Sequence, residues 1–112
     1  ASDYIGETSN HDWNRPANYL FSSPLKVEKE PLSEFLSIIK PRILRLKGFV
    51  KAPRGFWHVD MVGDHYQINP SDSSVDDAAN LVIIGKDNQD FSDLISKNWE
   101  KIFNEKPSLI PN

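Results

Sequence analysis

RILRLKGFVK, residues 42–51, is the stretch that decides the fold of this chain. A β-strand sends successive side chains to opposite faces of its sheet, so its residues divide into two alternating sets. The first set here is Leu44, Leu46, Gly48 and Val50, and the second set is Ile43, Arg45, Lys47 and Phe49. The first set is apolar or small, and the second carries the charges. We therefore predict a strand whose first set is buried under helices and whose Arg45 and Lys47 side chains are exposed.

Further strands are predicted on both sides of this one. Turn-forming residues 52–55 lead into a second alternating segment, FWHVDMV at 56–62. Its two sets are Trp57, Val59 and Met61 against Phe56, His58 and Asp60. Gly63-Asp64 then turns the chain into HYQIN at 65–69, which predicts a tight hairpin. The apolar run LVII at 81–84 is typical of a central strand buried on both faces, and YLF at 19–21 indicates a first strand.

Two segments have helical periodicity. The first opens at Pro31, which suits the first turn of a helix, and stops before Pro41. Its apolar face consists of Leu32, Phe35, Leu36 and Ile39. The second follows capping residues at 87–90 and precedes Lys106-Pro107. Its apolar stripe consists of Phe91, Leu94, Ile95, Trp99, Ile102 and Phe103.

The order of these elements is strand, helix, three strands, strand and helix. It predicts an α+β fold, a two-layer sandwich in which a largely antiparallel sheet of four to five strands carries both helices on one face. This arrangement would be a variant of the ferredoxin-like fold. A chain of 112 residues suits one domain, which we assign to 17–106. Residues 1–16 are expected to form a flexible lead-in or linker tail, and 107–112 a short tail.

The composition restricts the classes of function. Cysteine is absent, which excludes disulfides, thiolate metal sites and cysteine nucleophiles in this chain and favours a cytoplasmic setting. The formal net charge of −3 gives no overall positive field that would attract nucleic acid or an anionic membrane.

The sequence also lacks the common catalytic motifs. A P-loop has the form GxxxxGKS or GxxxxGKT, and Gly85-Lys86-Asp87 lacks both the glycine spacing and the hydroxyl. The nucleophile elbow GxSxG, the zinc motif HExxH and the dinucleotide motif GxGxxG are absent too. We therefore expect a domain that is not an enzyme by itself and has no cofactor of its own.

The polar residues that stand out lie on the predicted strands. Strand alternation places one set of them on a shared exposed face: Arg45, Lys47, Phe49, His58, Asp60 and Gln67. Phe56 flanks this set. The surface has two interpretations, a solvated sheet face that aids solubility or a site that docks a partner or ligand.

A metal site on the hairpin is an alternative interpretation. His58, Asp60, Asp64 and His65 supply nitrogen and oxygen ligands that zinc or cobalt accepts, and His11-Asp12 offers two more. Nothing in the sequence directs these side chains toward one point, so they are weak candidates.

Two further alternatives concern other classes of protein. KGF at 47–49 resembles the start of an RNA-binding strand, but Val50 and Lys51 depart from that motif. A stand-alone RNA-binding sheet domain would nevertheless use this strand. A small ligand-binding domain or enzyme could instead use His58 and Asp60 as base and acid, which requires a concave pocket.

RLKGFV at 45–50, followed by LVIIGKD at 81–87 and a closing amphipathic helix, resembles the C-terminal domain family of CobW proteins. FSS at 21–23 and PLS at 31–33 also match the opening strand and helix of that family. The resemblance covers residues 17 to about 103. The sequence departs from the family in having Lys86 where Arg is common. Its lead-in has only His11 where many relatives carry long metal-binding tracts rich in His, Asp and Glu.

The resemblance implies a parent protein with an N-terminal P-loop GTPase domain that inserts zinc, cobalt or a related metal into client proteins or cofactors, as in cobalamin biosynthesis. GTP and the divalent metal would bind to that parent, and this domain would assist client recognition and sensing of the nucleotide state. Its expected partners are the GTPase domain of the same chain and a metal-requiring client protein. Arg45 and Lys47 match the basic pair of the family and are the expected contact residues.

Overall fold

A computed structural model describes residues 17–72, 79–87 and 89–111 of the chain. The elements of these residues are β1 (Asn18–Ser22), α1 (Lys29–Ile39), β2 (Ile43–Lys51), β3 (Phe56–Val62), β4 (His65–Ser71), β5 (Asn80–Gly85), α2 (Ser92–Phe103) and β6 (Ser108–Pro111). A short 3-10 turn, Lys40–Arg42, joins α1 to β2. The predicted lead-in at 1–16 lies outside the described residues.

The strands form one sheet in the order β4-β3-β2-β5-β1-β6, and every neighbouring pair is antiparallel. β5 therefore separates β1 from β2, and these two strands run in the same direction. Both helices send their apolar stripes into one core on the same side of the sheet. The predicted α+β sandwich with an antiparallel sheet and two helices is confirmed, with six strands in the described residues instead of four or five.

The additional strand is β6, within the segment that the sequence assigned to a tail. It pairs with β1, and Leu109 lies opposite Phe21 and packs against the core. An edge strand tolerates Pro111, because one side of such a strand has no neighbouring strand to which a backbone N–H must donate. The strand has only four residues, so its own sequence carries too little alternation to identify it.

Aromatic rings occupy the centre of the core. Trp99 is fully buried, and its ring centroid lies 4.9 Å from that of Phe21, 5.1 Å from that of Phe35 and 4.1 Å from that of Phe103. These residues come from β1, α1 and α2, so the cluster joins the two helices to the sheet. Edge-to-face pairs at such distances add about 0.5–1.5 kcal/mol each to the free energy gained from burial.

A side chain fixes the first turn of α2, and the backbone terminates the last turn. The Oδ1 atom of Asp90 accepts hydrogen bonds from the Tyr19 hydroxyl at 2.6 Å and from the Ser92 amide at 2.8 Å. The bond from Tyr19, followed by those from Ser92, lowers the pKa of Asp90 to about 2. Asn104 follows the last turn in the left-handed conformation that commonly terminates helices.

The predicted alternation of β2 is wrong at its start. Ile43 is completely buried, whereas Leu44 is 48% exposed, which reverses the expected sides of these two residues. The cause is an irregularity in the pairing of β2 with β5 between Ile43 and Arg45. A bulge of this kind inserts one residue and shifts the side-chain alternation by one position. From Arg45 onward the prediction is correct, because Leu46 and Val50 are buried while Arg45 and Lys47 are exposed.

β5 is central in the sheet, as predicted, but only one of its faces is buried. Leu81 and Ile83 are completely buried, whereas Val82 is 38% exposed. The interpretation of a strand covered on both sides is therefore wrong. No described helix covers the second side of the sheet, and the apolar residues there remain in contact with solvent.

Gly48 allows β2 and β5 to approach each other. Its φ angle is 148°, and a Cβ atom at this position would collide with the carbonyl oxygen of Asn80 and lie 3.0 Å from the Cα of Leu81. Backbone atoms of a paired central strand cannot move aside as a flexible side chain can. The glycine of the KGF motif is thus required by the structure of the sheet.

Candidate functional site

The candidate residues lie on the side of the sheet opposite the helices, which we call the open face. Register places Lys47 across from Asp60, and Asp60 across from Gln67, in one row over β2, β3 and β4. Phe49 and His58 form the next row. Residues opposite each other in antiparallel strands share a face, so the predicted set is brought together on one surface.

The charges of this surface are weakly paired. Arg45 Nη2 donates to Asp60 Oδ1 at 3.5 Å, and the two side chains are 45% and 38% exposed. An ion pair this long and this exposed contributes little to stability. Lys47 is exposed and has no ion pair within the described residues. The two cations thus remain able to engage carboxylates of another molecule.

An aromatic cluster adjoins these charges. The ring centroid of Phe49 lies 5.1 Å from that of His58 and 6.4 Å from that of Phe56. All three residues are partly exposed. The Phe49–His58 row is next to the row of Lys47 and Asp60, and partly exposed aromatic rings are a feature of the cores of protein interfaces.

The open face also exposes aliphatic residues that the sequence interpretation did not include. Val62 and Ile110 are each 55% exposed, and Leu44 and Val82 also have large exposed fractions. Val82 lies opposite both Lys47 and Leu20, and Leu20 lies opposite Ile110. This row therefore extends apolar surface from the basic pair to the β6 edge. The alternation within LVII would have revealed Val82 if one face of β5 had been taken as uncovered.

The concave part of the candidate site is small. A shallow cavity of about 170 Å³ lies between Asp60, Val62 and Gln67, beside His65 and Tyr66. Sites for small molecules usually enclose about 300–1,000 Å³. The cavity beside Asp60 is therefore smaller than a typical site for a small molecule.

The hairpin residues proposed as weak metal ligands are not grouped. Within the described residues, no three His, Asp or Glu side chains are close enough together to hold a metal ion. His58 and Asp60 share the open face, His65 lies opposite Val62 at its margin, and Asp64 lies in the turn. His11-Asp12 lies outside the described residues.

Tyr66 on β4 forms a hydrogen-bonded group with α1 on the helix side of the sheet. The Tyr66 hydroxyl lies 2.7 Å from the Ser33 hydroxyl and 2.8 Å from the Ser37 hydroxyl. Hydrogen bonding to Ser33, followed by that to Ser37, lowers the pKa of Tyr66 below its usual value of 10.0. The group joins α1 to β4, and Tyr66 also borders the shallow cavity beside Asp60 and Gln67. We assign the hydrogen-bonded group a structural role at the margin of the candidate site.

Comparison with known proteins identifies one related family. Residues 17–102 match the model of the family described as the cobalamin synthesis protein cobW C-terminal domain. Searches of curated proteins and of solved structures return no significant match. In the described part of the chain, neither helix has the length and apolar character needed to cross a membrane.

Proposed function

The chain belongs to the cobW C-terminal domain family, and on that premise we propose that it is a non-catalytic accessory domain of a CobW-type GTPase, packed through its open face against the GTPase domain of the same chain. The observation that carries this proposal is the uncovered sheet. In the described part of the chain, six strands bury one face under two helices, while the other face exposes aliphatic, aromatic and basic side chains together.

Exposed aliphatic surface favours a protein partner over solvent. Val62, Val82 and Ile110 each leave more than a third of their surface in water. Burial of apolar area contributes about 25 cal/mol per Å², so covering this row stabilises a complex. A purely solvated sheet face would present polar residues at these positions instead.

The connection to a preceding domain favours an intramolecular partner. Ala17 is the first described residue and is held beside β5, since its carbonyl oxygen accepts a hydrogen bond from the Gly85 amide at 2.8 Å. In the next position, Asn18 lies opposite Ile84, and Ile84 lies opposite Arg45. Two strand spacings separate Asn18 from Arg45, which is about 10 Å. The chain therefore enters the sheet close to the basic end of the open face.

In this arrangement Arg45 and Lys47 would bind carboxylates of the GTPase domain, and the aliphatic row would pack beside them. GTP and the divalent metal, zinc or cobalt, belong to the parent protein, with the metal as cargo for a client. A change of nucleotide that altered this contact would couple the GTPase cycle to client recognition. A client protein is the second candidate partner for the same face.

The RNA-binding alternative has lost its main support. Its motivation was the KGF motif, and the glycine of that motif is explained by the approach of Asn80 to Gly48. Phe49 is partly exposed, but its nearest aromatic neighbours are His58 and Phe56, which already pack against it.

Calorimetric titration of the 112-residue chain with the separately produced GTPase domain of its parent tests the proposal. The variant Arg45→Glu with Lys47→Glu should weaken binding at least tenfold, because each reversed charge would face the carboxylates that it formerly attracted. The matched control is Lys97→Glu with Lys101→Glu on the exposed side of α2, which makes the same change in net charge. Equal losses in both double variants would contradict the proposal, as would full binding by the open-face variant.

A further inference from the structure

A second cationic surface lies at the opposite end of the open face. Here β1 and β2 end while β5 and β6 begin, and the four strand termini surround a cleft of about 500 Å³. The polar residues that line it are Ser22, Ser23, Lys51, Asn80, Lys106 and Ser108. The Ser23 hydroxyl already accepts a hydrogen bond from the Leu25 amide at 3.2 Å. Arg45 and Lys51 are six residues apart on one strand, about 20 Å, so this cleft lies at the far end of the open face from the basic pair. It adjoins the aliphatic row, because Ser108 is two residues from Ile110 on β6.

Strand register aligns the neutral hydrogen-bonding groups of the cleft. Ser22 on β1 lies opposite Ser108 on β6 and also opposite Asn80 on β5. Directly opposed side chains have Cβ atoms about 4.5–5.5 Å apart, so two hydroxyls and one amide form a continuous row across three strands. A row of this width can hydrogen-bond several oxygen atoms of one ligand.

Two ammonium groups give the cleft its charge. Lys51 and Lys106 both line it, and no acidic residue is among the described residues of the lining. Within the described residues, neither lysine forms an ion pair, and the side chains of Ser22, Asn80 and Ser108 have no hydrogen-bond partner. A chain with a net charge of −3 thus concentrates two unpaired cations and unused donors in one concave place. Lys26 lines an adjoining cleft that shares Lys51, which extends the positive region.

We propose that this cleft binds a small phosphate-bearing molecule. Lys51 and Lys106 would neutralise the charge of the phosphate, and the hydroxyls and amide would donate hydrogen bonds to its oxygen atoms. The volume lies within the range of small-molecule sites and exceeds what a single inorganic phosphate fills. The ligand therefore carries either more than one phosphate group or an organic part in addition to its phosphate.

NMR titration of the ¹⁵N-labelled 112-residue chain tests the site with inorganic phosphate, pyrophosphate and glycerol 3-phosphate. Pyrophosphate or glycerol 3-phosphate should shift the amide signals of Ser22, Asn80 and Ser108, and should bind more tightly than inorganic phosphate. Phosphatidylcholine vesicles with and without phosphatidic acid distinguish a soluble phosphate from a lipid headgroup. Binding to the acidic vesicles without binding to the soluble phosphates would overturn the assignment of a small molecule.

A matched pair of variants separates a site from general charge attraction. Lys51→Gln with Lys106→Gln should weaken binding about tenfold or more, since hydrogen bonds to charged groups are the stronger ones. Lys97→Gln with Lys101→Gln removes the same charge from exposed positions on α2 and should leave binding within twofold. Equal weakening by both variants, or no saturable binding to the unmodified chain, would refute the proposal. Retained thermal transitions verify that the variants fold.

Discussion

Replacing Gly48 with alanine should destabilise the sheet by an amount that the structure allows us to divide into two parts. The first is the φ angle of 148°, which costs an L-residue about 1–3 kcal/mol. The second is the collision of the new Cβ with the backbone of Asn80, which β5 holds in place. Overpacking of a well-packed site costs about 1–3 kcal/mol, so the midpoints sum to about 4 kcal/mol.

Gly63→Ala is the matched control. Gly63 also has a positive φ angle, 59°, but a Cβ there would meet no atom within 4 Å. Its substitution should therefore cost about 1–2 kcal/mol, the penalty of the left-handed conformation alone. The difference between the two variants contains the collision of the new Cβ with β5, together with any extra strain of the φ angle of 148° over that of 59°.

Urea denaturation followed by circular dichroism gives both values as shifts of the midpoint at constant slope. A domain of this size has a total stability of about 5–15 kcal/mol, so a loss of 4 kcal/mol is readily measured. A Gly48→Ala variant that loses no more stability than Gly63→Ala would refute the reasoning, because the glycine of the KGF motif would then have no packing role.

Three further outcomes are expected from single sites. Trp99→Ala should lose about 3–5 kcal/mol in the same denaturation assay, since it leaves a cavity among core aromatic rings, and a loss below 1 kcal/mol would disprove its central position. Arg45→Ala with Lys47→Ala should stay within about 0.5 kcal/mol of the unmodified chain, because both side chains are exposed; a large loss would show that the faces of β2 are assigned the wrong way round. Asp90→Ala should reduce stability at neutral pH. The pKa of the Asp90 carboxyl is lowered from 3.8 to about 2 in the folded state, so its contribution to stability is present above 3.8 and is lost as pH falls through 2. The melting curves of the two proteins should approach each other between these pH values and coincide below 2. A gap that stays constant over this range would contradict the bonds to Asp90.

The regular alternation of the strands could be predicted from sequence because one side of the sheet is buried. Phe56–Val62 was predicted with its observed bounds, and the sides of Val59 and Met61 are correct. Ile43 and Leu44 could not be placed, because both are apolar and neither shows where a bulge interrupts the alternation. β6 was missed because its four residues become a strand only through pairing with β1.

The candidate site was predicted in part for the same reason. Alternation alone placed Lys47, Asp60 and Gln67 on one face, and the sheet register then made them neighbours. The aliphatic residues of the open face were missed, because the residue type of an exposed valine such as Val82 does not differ from that of a buried one. The phosphate cleft could not be predicted, because its residues come from four strand ends whose order in the sheet is a tertiary property.

The central claim is that the open face of the sheet is covered by the GTPase domain of the same chain. Its most direct test is an NMR titration of the ¹⁵N-labelled 112-residue chain with that GTPase domain, because each amide signal reports its own surroundings. We predict that the shifted signals lie on β2, β3 and β5, with Arg45, Lys47 and Val82 among them. Shifts confined to the outer surfaces of α1 and α2, or none at saturating concentration, would contradict the claim.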